Sequence, residues 1–350
     1  MRVRYQWFFL LLLLFGASGC AGFAARRIAQ APNTYPEWLA PEAPVVLEFS
    51  SKLLTNSPKQ YLEVGPPAAR LCYRIVEPAD YKFKWSRSNS HNAKAQVEFS
   101  FEAKLPPQSN QWSSAPRGTV FLLHGYGVAQ FSMLPWALQL SQEGWRCVLL
   151  DLRGHGKSTG DRIYFGTRET KDLTQLVDHL ASRGQLVEPV AAIGDSYGAA
   201  LVLRWKTVEP RVGPVVAISP YPNLARATLN ISNEYAAWVP DAWLKAGLKK
   251  LPDLLGIDAA ELNPEEVLKK TPVKALFVAG SKDKIAPEED VAELWRVAAP
   301  ESKFIVVPGA AHEPLPYYFD DLLEPVSAWL AQESPVVARR AEGALTNGGQ

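Results

Sequence analysis

The chain has 350 residues, of which 47% are hydrophobic, and its 37 basic residues nearly balance its 36 acidic ones. This length can bury a full core and suits one large domain or two small ones. The balanced charge gives no sign of a nucleic-acid partner, and the lack of internal repeats argues against a solenoid or a propeller.

The first twenty residues have the build of a secretory signal, with a basic start, a short apolar run and then small residues. Arg2 and Arg4 precede the apolar run over 7–15, and the small residues end at Cys20. The last four, Ala-Ser-Gly-Cys, resemble the lipobox of bacterial lipoproteins, although position 17 is Ala where Leu is commoner.

The lipobox resemblance implies that residues 1–19 are a lipoprotein signal peptide and that Cys20 is acylated as the mature N-terminus. Such an anchor would place the protein in a bacterial cell envelope, on a membrane and facing the periplasm or the exterior. An uncleaved anchor helix is one alternative, because 21 uncharged residues separate Arg4 from Arg26. An ordinary signal peptide is the other.

The region after Cys20 is rich in proline and has little periodicity, so residues 20–65 are predicted to be a tether. Two strand-like stretches follow at 69–76 and 95–102, and the polar segment 86–92 between them is predicted to be a loop.

From residue 118 onward, short apolar runs alternate with longer helical segments. Continuous apolar runs are typical of strands that are covered on both faces, as in a parallel sheet. The predicted strands are 119–123, 146–150, 190–193, 215–218, 274–278 and 303–307, and the helices are 131–143, 168–183, 197–209, 288–299 and 316–331. This alternation predicts an α/β fold with a mostly parallel central sheet flanked by helices.

One connection is too long for a simple crossover. Residues 220–271 carry several aromatic residues and prolines, and they are predicted to form a helical lid above the strand ends. Its aromatic residues pack the lid or contact an acyl chain. After Glu333 the chain becomes small and polar, so 333–350 is predicted to be a disordered tail, which leaves 66–332 as the main domain.

Chemically active residue types follow the predicted strands, where ligands of parallel sheets gather. These motifs are His-Gly-Tyr-Gly (124–127), Asp-Leu-Arg-Gly-His-Gly-Lys-Ser (151–158), Gly-Asp-Ser-Tyr-Gly (194–198), Gly-Ser-Lys-Asp (280–283) and Gly-Ala-Ala-His (309–312). The 194–198 motif stands between a strand and a helix, the context in which Gly-x-Ser-x-Gly exposes a serine on a strained turn.

A serine hydroxyl needs a base, and the base needs a third group that sets its tautomer. Of the five histidines, only His312 follows a late strand with an acid, Asp283, at the end of the preceding one. The order Ser196, Asp283, His312 matches the chain order of one hydrolase architecture.

Through these five motifs, residues 69–332 resemble the α/β-hydrolase superfamily, and 151–158 with the lid resembles its monoacylglycerol lipase and serine-aminopeptidase-like branch. The resemblance implies that Ser196 attacks an acyl carbonyl, His312 acts as base and then acid, and Asp283 orients His312. It also implies an oxyanion hole formed by the backbone N–H groups of Tyr126 and Tyr197, with His124 in a structural role.

Position 195 departs from this branch, because Asp stands there and His is common. An aspartate nucleophile would occupy position 196 itself, so the dehalogenase type of reaction does not fit. Two roles for Asp195 are open: it contacts the substrate, or it faces away and hydrogen-bonds a loop.

The remaining polar residues are predicted to be structural, with Asp172 and Asp290 as solvated charges on helix faces. Cys72 and Cys147 form a disulfide or stay as buried free thiols. We find no Cys/His cluster with metal-ligand spacing and no phosphate-binding glycine loop, so no metal and no cofactor are predicted.

The sequence thus predicts a membrane-tethered serine hydrolase that cleaves carboxylic esters similar to monoacylglycerols or lysophospholipids. A serine-aminopeptidase-like peptidase and a non-catalytic envelope lipoprotein with the same scaffold are the alternatives.

Overall fold

A computed structural model describes residues 17–34, 54–89, 97–104 and 115–332. Its strands are β1 (Gln60–Val64), β2 (Ala69–Val76), β3 (Lys84–Asn89), β4 (Val97–Glu102), β5 (Thr119–Leu123), β6 (Arg146–Asp151), β7 (Val190–Asp195), β8 (Val212–Ile218), β9 (Leu276–Gly280) and β10 (Lys303–Val307). Its α-helices are α1 (Ala17–Ile28), α2 (Leu134–Gln142), α3 (Glu169–Ser182), α4 (Tyr197–Val208), α5 (Leu224–Tyr235), α6 (Asp241–Leu255), α7 (Pro264–Lys270), α8 (Glu288–Val297) and α9 (Phe319–Gln332).

Within the described residues, eight strands form one sheet in the order β1-β2-β6-β5-β7-β8-β9-β10. The strand β2 pairs antiparallel with β1 and with β6. The six strands β6-β5-β7-β8-β9-β10 pair in parallel. The predicted α/β class with a mostly parallel sheet is therefore confirmed. Every residue of β5 and of β9 is buried, which is why these strands appear in the sequence as unbroken apolar runs.

Helices cover both faces of the sheet and divide the core into two large apolar clusters. One cluster includes α3, α4 and α8, and the other includes α2 and α9. A fully buried tryptophan anchors each cluster, and its indole N–H is satisfied: Trp205 in the first donates to Thr174 Oγ1 at 3.2 Å, and Trp136 in the second donates to Pro316 O at 2.9 Å. Burial of large aromatic side chains supplies much of the apolar driving force for folding.

The segment predicted as a lid is a helical insertion between β8 and β9 that carries α5, α6 and α7. It follows the carboxyl end of β8, so it lies at the edge of the sheet where the motifs gather. Among the described residues, none of the helices is both long and apolar enough to cross a bilayer.

The tether predicted over 20–65 is wrong where the structure describes it. Gln60–Val64 is the edge strand β1, and the 29–33 segment is bound to the loop after β6. Ile163 N donates to Ala29 O at 2.9 Å, and Asn33 N donates to Gly154 O at 3.0 Å. The rest of this region, 35–53, lies outside the described residues, as do residues 1–16 of the predicted signal peptide and the predicted tail 333–350.

The helix α1 packs along α6 of the lid through very small residues. Ala24 and Ala25 are buried, and a Cβ added to Gly247 would lie 2.6 Å from Ala24 Cβ and 3.0 Å from Ala25 N. Only glycine permits this approach of the two backbones. Cys20 lies in α1, but its side chain is outside the described part.

The loop predicted over 86–92 is also wrong in part, because Lys84–Asn89 is the strand β3 of a hairpin with β4. The strand has a single apolar residue, Trp85, which stacks on Phe319 at 5.9 Å between ring centroids. Phe101 of β4 lies 6.2 Å from the same ring. The hairpin thus depends on packing against the start of α9, and no local alternation reveals it.

Cys72 and Cys147 are buried free thiols. In the β2–β6 ladder, Cys72 lies opposite Asp151 and Cys147 lies opposite Val76. Four strand residues therefore separate the two, which is about 13 Å along the strands. A disulfide requires Cα atoms within about 7 Å, so this pair is not placed to form one.

We expect Gly247→Ala to lower the free energy of unfolding by about 1–3 kcal/mol, because the new methyl group overlaps Ala24. The matched control is Gly22→Ala in α1, whose Cβ has its nearest neighbour at 3.9 Å. That change should leave stability unchanged or raise it by up to about 1 kcal/mol. Urea unfolding of both variants tests this, and equal stability would contradict the close α1–α6 contact.

Candidate active site

Ser196 lies on a sharp turn between β7 and α4, with φ of 50° and ψ of −108°. This left-handed conformation is strained for a residue with a side chain. Two glycines permit the turn: a Cβ on Gly194 would lie 2.2 Å from Gly198 O, and one on Gly198 would lie 2.3 Å from Leu123 O. Ser196 N donates to Ile218 O at 2.8 Å, which ties the turn to β8.

The structure brings Ser196, His312 and Asp283 into one hydrogen-bonded chain. His312 Nε2 lies 2.9 Å from Ser196 Oγ, and His312 Nδ1 lies 2.8 Å from Asp283 Oδ2. The three residues come from three separate loops after β7, β9 and β10. Because the carboxyl ends of parallel strands share one edge of the sheet, these loops meet there.

The Asp283 carboxylate is completely buried and receives three further hydrogen bonds. Its Oδ1 accepts the backbone N–H groups of Ile285 and Ala286, each at 2.8 Å, and its Oδ2 accepts the Ser219 hydroxyl at 2.8 Å. These donors compensate for the loss of water around the carboxylate. Sequence reasoning missed Ser219, although it directly follows β8, where site residues are expected.

The environment of His312 affects its pKa in two opposing ways. Burial lowers the pKa, while the hydrogen bond and charge of Asp283, together with the charge of Asp195, raise it. The second effect is larger, so the pKa of His312 is raised above its ordinary value of 6.5. An imidazole with a raised pKa is a stronger base toward the hydroxyl of Ser196.

His124 ties the turn over 124–127 to the loop after β6. Leu152 N donates to His124 Nε2 at 3.0 Å, so the ring proton lies on Nδ1, which is 2.7 Å from Gly125 O and donates to it. Burial lowers the pKa of His124 to about 4, and the ring is therefore neutral. These contacts give His124 a structural position rather than that of a base.

The two tyrosines predicted to supply oxyanion-hole N–H groups lie on either side of Ser196. Tyr197 begins α4, and Tyr126 lies in the turn after the neighbouring strand β5. Their rings meet edge to face with centroids 6.4 Å apart. The arrangement puts a helix N-terminus and a tight turn beside the hydroxyl of Ser196, and the role of the two N–H groups stays a prediction.

The loop after β6 is fixed by charged groups of its own. Asp151 accepts the backbone N–H groups of Gln130 at 2.8 Å and Lys157 at 2.9 Å. Arg153 forms a bidentate pair with Asp172 at 2.8 and 2.7 Å, and both are buried. Burial raises the pKa of Asp172 to about 6 although Arg153 opposes the shift.

Two acids predicted to be solvated are thus buried. Asp172 is paired with Arg153, and Asp290 is paired with Arg226 at 2.7 Å. Their partners are 19 and 64 residues away in the chain, so neither pair has a local signature.

The environment of Asp195 is unfavourable for an ionised carboxylate. Its Oδ1 is buried without a hydrogen-bond partner among the described residues, and its Oδ2 lies beside Gly125, 3.2 Å from where a Cβ would be. Burial raises its pKa to about 7; the charges of Asp283 and Glu313 also raise it, and His312 opposes them. Asp195 therefore faces the interior between the two turns.

Within the described ranges, no group of three or more His, Cys, Asp or Glu side chains is arranged to hold a metal ion.

Part of the chain matches one family of known proteins. Residues 114–263 match the family described as serine aminopeptidase, S33 (Hydrolase_4), a stretch that includes Ser196 but neither Asp283 nor His312. No curated protein matches the sequence significantly.

Several solved structures share the fold at low sequence identity. An esterase from Pyrococcus furiosus has a TM-score of 0.59 and 20% identity, and the alignment covers 83% of this chain and 96% of that one. The protein Est1E from Butyrivibrio proteoclasticus, solved with ferulic acid, has a TM-score of 0.52 and 16% identity over 78% and 98%. An α/β hydrolase from Penicillium, GrgF, has a TM-score of 0.54 and 15% identity over 79% and 99%. The chain therefore has the α/β-hydrolase fold.

We expect Asp195→Asn to make the protein more stable above neutral pH. The folded state favours the protonated acid, so this contribution to stability is complete below the ordinary pKa of 3.8 and is lost as pH rises through about 7. A shift of this size corresponds to at most about 4 kcal/mol, and partial access of water reduces the expected gain to about 1–3 kcal/mol.

Thermal unfolding of the wild type and Asp195→Asn at a series of pH values measures this gain. The two proteins should unfold alike near about pH 4 and diverge above about pH 7. A difference that is independent of pH would contradict a buried acid at position 195.

Proposed function

We propose that the protein is a serine hydrolase that cleaves carboxylic esters through an acyl intermediate on Ser196. The observation that carries this proposal is the chain of hydrogen bonds from Ser196 Oγ through His312 to Asp283, at 2.9 and 2.8 Å. A nucleophile, a base and an orienting carboxylate at these distances form the arrangement that activates a serine hydroxyl.

In the first half of the reaction, Ser196 Oγ attacks the ester carbonyl while His312 Nε2 takes the hydroxyl proton. Asp283 holds Nδ1–H and stabilises the imidazolium that forms. The carbonyl oxygen becomes an oxyanion facing the backbone N–H groups of Tyr126 and Tyr197. Loss of one such donor generally costs about 3–4 kcal/mol of transition-state stabilisation.

The tetrahedral intermediate then collapses, and His312 gives its proton to the alcohol oxygen as the C–O bond breaks. In the second half, a water molecule loses a proton to His312 and attacks the acyl carbon. This attack forms a second tetrahedral intermediate. When that intermediate collapses, the bond between the acyl carbon and Ser196 Oγ breaks, His312 returns the proton to Oγ, and the carboxylic acid is released. Neutral His312 is needed at the start, so the raised pKa of His312 limits the reaction on the acidic side.

The lid supports a lipid-like ester as the substrate class. The helix α6 buries three leucines, Leu244, Leu251 and Leu255. The helix α5 stands beside the loop that carries Asp283, since Asn230 Nδ2 donates to Ile285 O at 3.0 Å. Monoacylglycerol- or lysophospholipid-like esters suit such an apolar covering.

An aminopeptidase is the second candidate, favoured by the description of the family that residues 114–263 match. Such an enzyme has to bind a substrate ammonium group near Ser196. The acids close to the site are Asp195 and Glu313, and burial raises the pKa of both. A raised pKa lowers the ionised fraction of an acid and so weakens its attraction for an ammonium group, which favours the ester over the aminoacyl substrate.

We expect Ser196→Ala to abolish labelling by a fluorophosphonate probe and to lower kcat on p-nitrophenyl esters by about a thousandfold or more. The matched control is Ser182→Ala, at an exposed serine on α3, which should label like the wild type. In the wild type, kcat/KM should fall as pH decreases through a value above 6.5.

The same assay separates the alternatives. Each p-nitrophenyl ester in a series of increasing chain length should be cleaved faster than an aminoacyl p-nitroanilide. Preference for the anilide would favour the aminopeptidase. Equal labelling of the wild type and Ser196→Ala would favour a non-catalytic lipoprotein.

We also propose that Cys20 carries the lipid anchor and that the protein is held on a membrane of a bacterial cell envelope. The lipobox-like sequence that ends at Cys20 supports this. We expect the wild type, expressed in a bacterium, to incorporate labelled palmitate, and Cys20→Ser to incorporate none. Palmitate incorporation by Cys20→Ser would contradict lipidation at this residue.

A further inference from the structure

The N-terminal helix α1 runs parallel to the lid helix α6. Phe23 meets Trp243 with ring centroids 6.5 Å apart, and Ala24 meets Gly247 further along. At the far end, the loop after β6 binds both helices, since Arg162 Nη1 donates to Leu254 O at 3.5 Å and the next residue donates to Ala29 O. Contacts therefore advance in the same direction along both helices, and their N-terminal ends lie together.

This direction places the start of the mature chain beside the lid. Cys20 lies about one helical turn before Phe23, so it lies near Asp241, where α6 begins. The residues just before α6 form the turn after α5. The proposed anchor point is therefore next to the junction of α5 and α6.

The surface at that junction is apolar and exposed. Ile231, Tyr235 and Trp238 are 38%, 44% and 42% exposed. Ile231 and Tyr235 are four residues apart and share one side of α5, and Trp238 lies in the turn that follows the helix. We call these three residues the lid stripe. Exposed aromatic residues in a row are typical of surfaces that meet a protein or a lipid.

The lid stripe lies close to the catalytic loops. Asn230 Nδ2 donates to Ile285 O at 3.0 Å, and Lys284 Nζ pairs with Glu234 at 3.2 Å. Ile285 and Lys284 directly follow Asp283. A surface that covers the lid stripe would therefore lie at the margin of the catalytic site.

A second copy of the chain or a lipid bilayer could cover the lid stripe, and the charge on α1 and α6 distinguishes between the two. The two helices carry five basic residues and two acidic ones: Arg26, Arg27, Lys245, Lys249 and Lys250 against Asp241 and Asp253. A second copy of the chain would bring like charges together across a two-fold interface. An anionic lipid surface would attract this charge and accept the aromatic side chains at its interface.

We propose that the lid stripe, with the adjoining helices α1 and α6 and their exposed basic residues, docks on an anionic lipid bilayer. The anchor at Cys20 and the lid stripe then meet the same surface, and the site takes esters that are embedded in that bilayer. The choice of substrate rests on the proposed ester hydrolysis, whereas the docking itself does not.

The test measures binding of the full-length Cys20→Ser protein, which has no lipid anchor, to vesicles of phosphatidylcholine alone or mixed equally with phosphatidylglycerol. We expect binding to the anionic vesicles that weakens with added salt. The double change Tyr235→Ala and Trp238→Ala should lower the partition coefficient by about tenfold or more. Lys249→Glu with Lys250→Glu should lower binding to the anionic vesicles alone.

The matched control is Trp295→Ala on α8, which removes a similarly exposed tryptophan. It lies at the end of the sheet where the parallel strands begin, whereas the lid stripe lies at the end where they finish. Its indole donates to Ser302 O at 3.1 Å, directly before β10 begins. This variant should bind vesicles like its parent. All variants should keep their melting temperature and their activity on a water-soluble short-chain ester.

Three outcomes would overturn the proposal. They are no vesicle binding by the Cys20→Ser protein, equal binding by the lid-stripe variant, and a concentration-dependent dimer that the lid-stripe variant disrupts. None of these measurements requires catalysis. Vesicle binding by a protein that fails to label with fluorophosphonate would leave the docking intact and would contradict only the proposed hydrolysis.

Discussion

The close approach of three chain segments at the Ser196 turn is the constraint on which the site depends. Gly194, Gly198 and the end of β5 are so close that a single methyl group at either glycine would meet backbone atoms at 2.2–2.3 Å. This contact fixes the strained φ of Ser196, and it also presses the 124–127 turn against the start of α4. Ser196 and the backbone N–H groups beside it are thus positioned by one steric condition, and not by flexible side chains.

Two aspartates of the site differ in how many hydrogen bonds compensate for their loss of water. Asp283 is buried with His312 and three further donors around it, so it can hold a negative charge opposite an imidazolium. Asp195 is half-buried beside Ser196, with one buried oxygen that lacks a partner among the described residues, and its pKa is raised to about 7. The site therefore surrounds one carboxylate with hydrogen-bond donors and makes the ionisation of the other costly.

Much of the fold follows from local patterns, and the exceptions share a physical cause. The buried parallel strands and the order of the motifs are visible because β5 to β10 are continuous apolar runs and the motifs directly follow them. The strand β3 is hidden because its one apolar residue packs on a helix more than 200 residues later. The alanines of α1 and the acids Asp172 and Asp290 were misassigned for the same reason, since each depends on a distant partner.

The pairing of α1 with α6 also constrains the order in which the molecule can fold. More than 200 residues separate Ala24 from Gly247, so their contact is among the longest-range in the chain. Closure of so long a loop has to wait for the intervening sheet. During synthesis, α1 has no partner until β1 to β8, α5 and α6 have been made, although β9 and β10 still follow. The insertion after β8 is therefore completed by the oldest part of the polypeptide, and not by its neighbours in the chain.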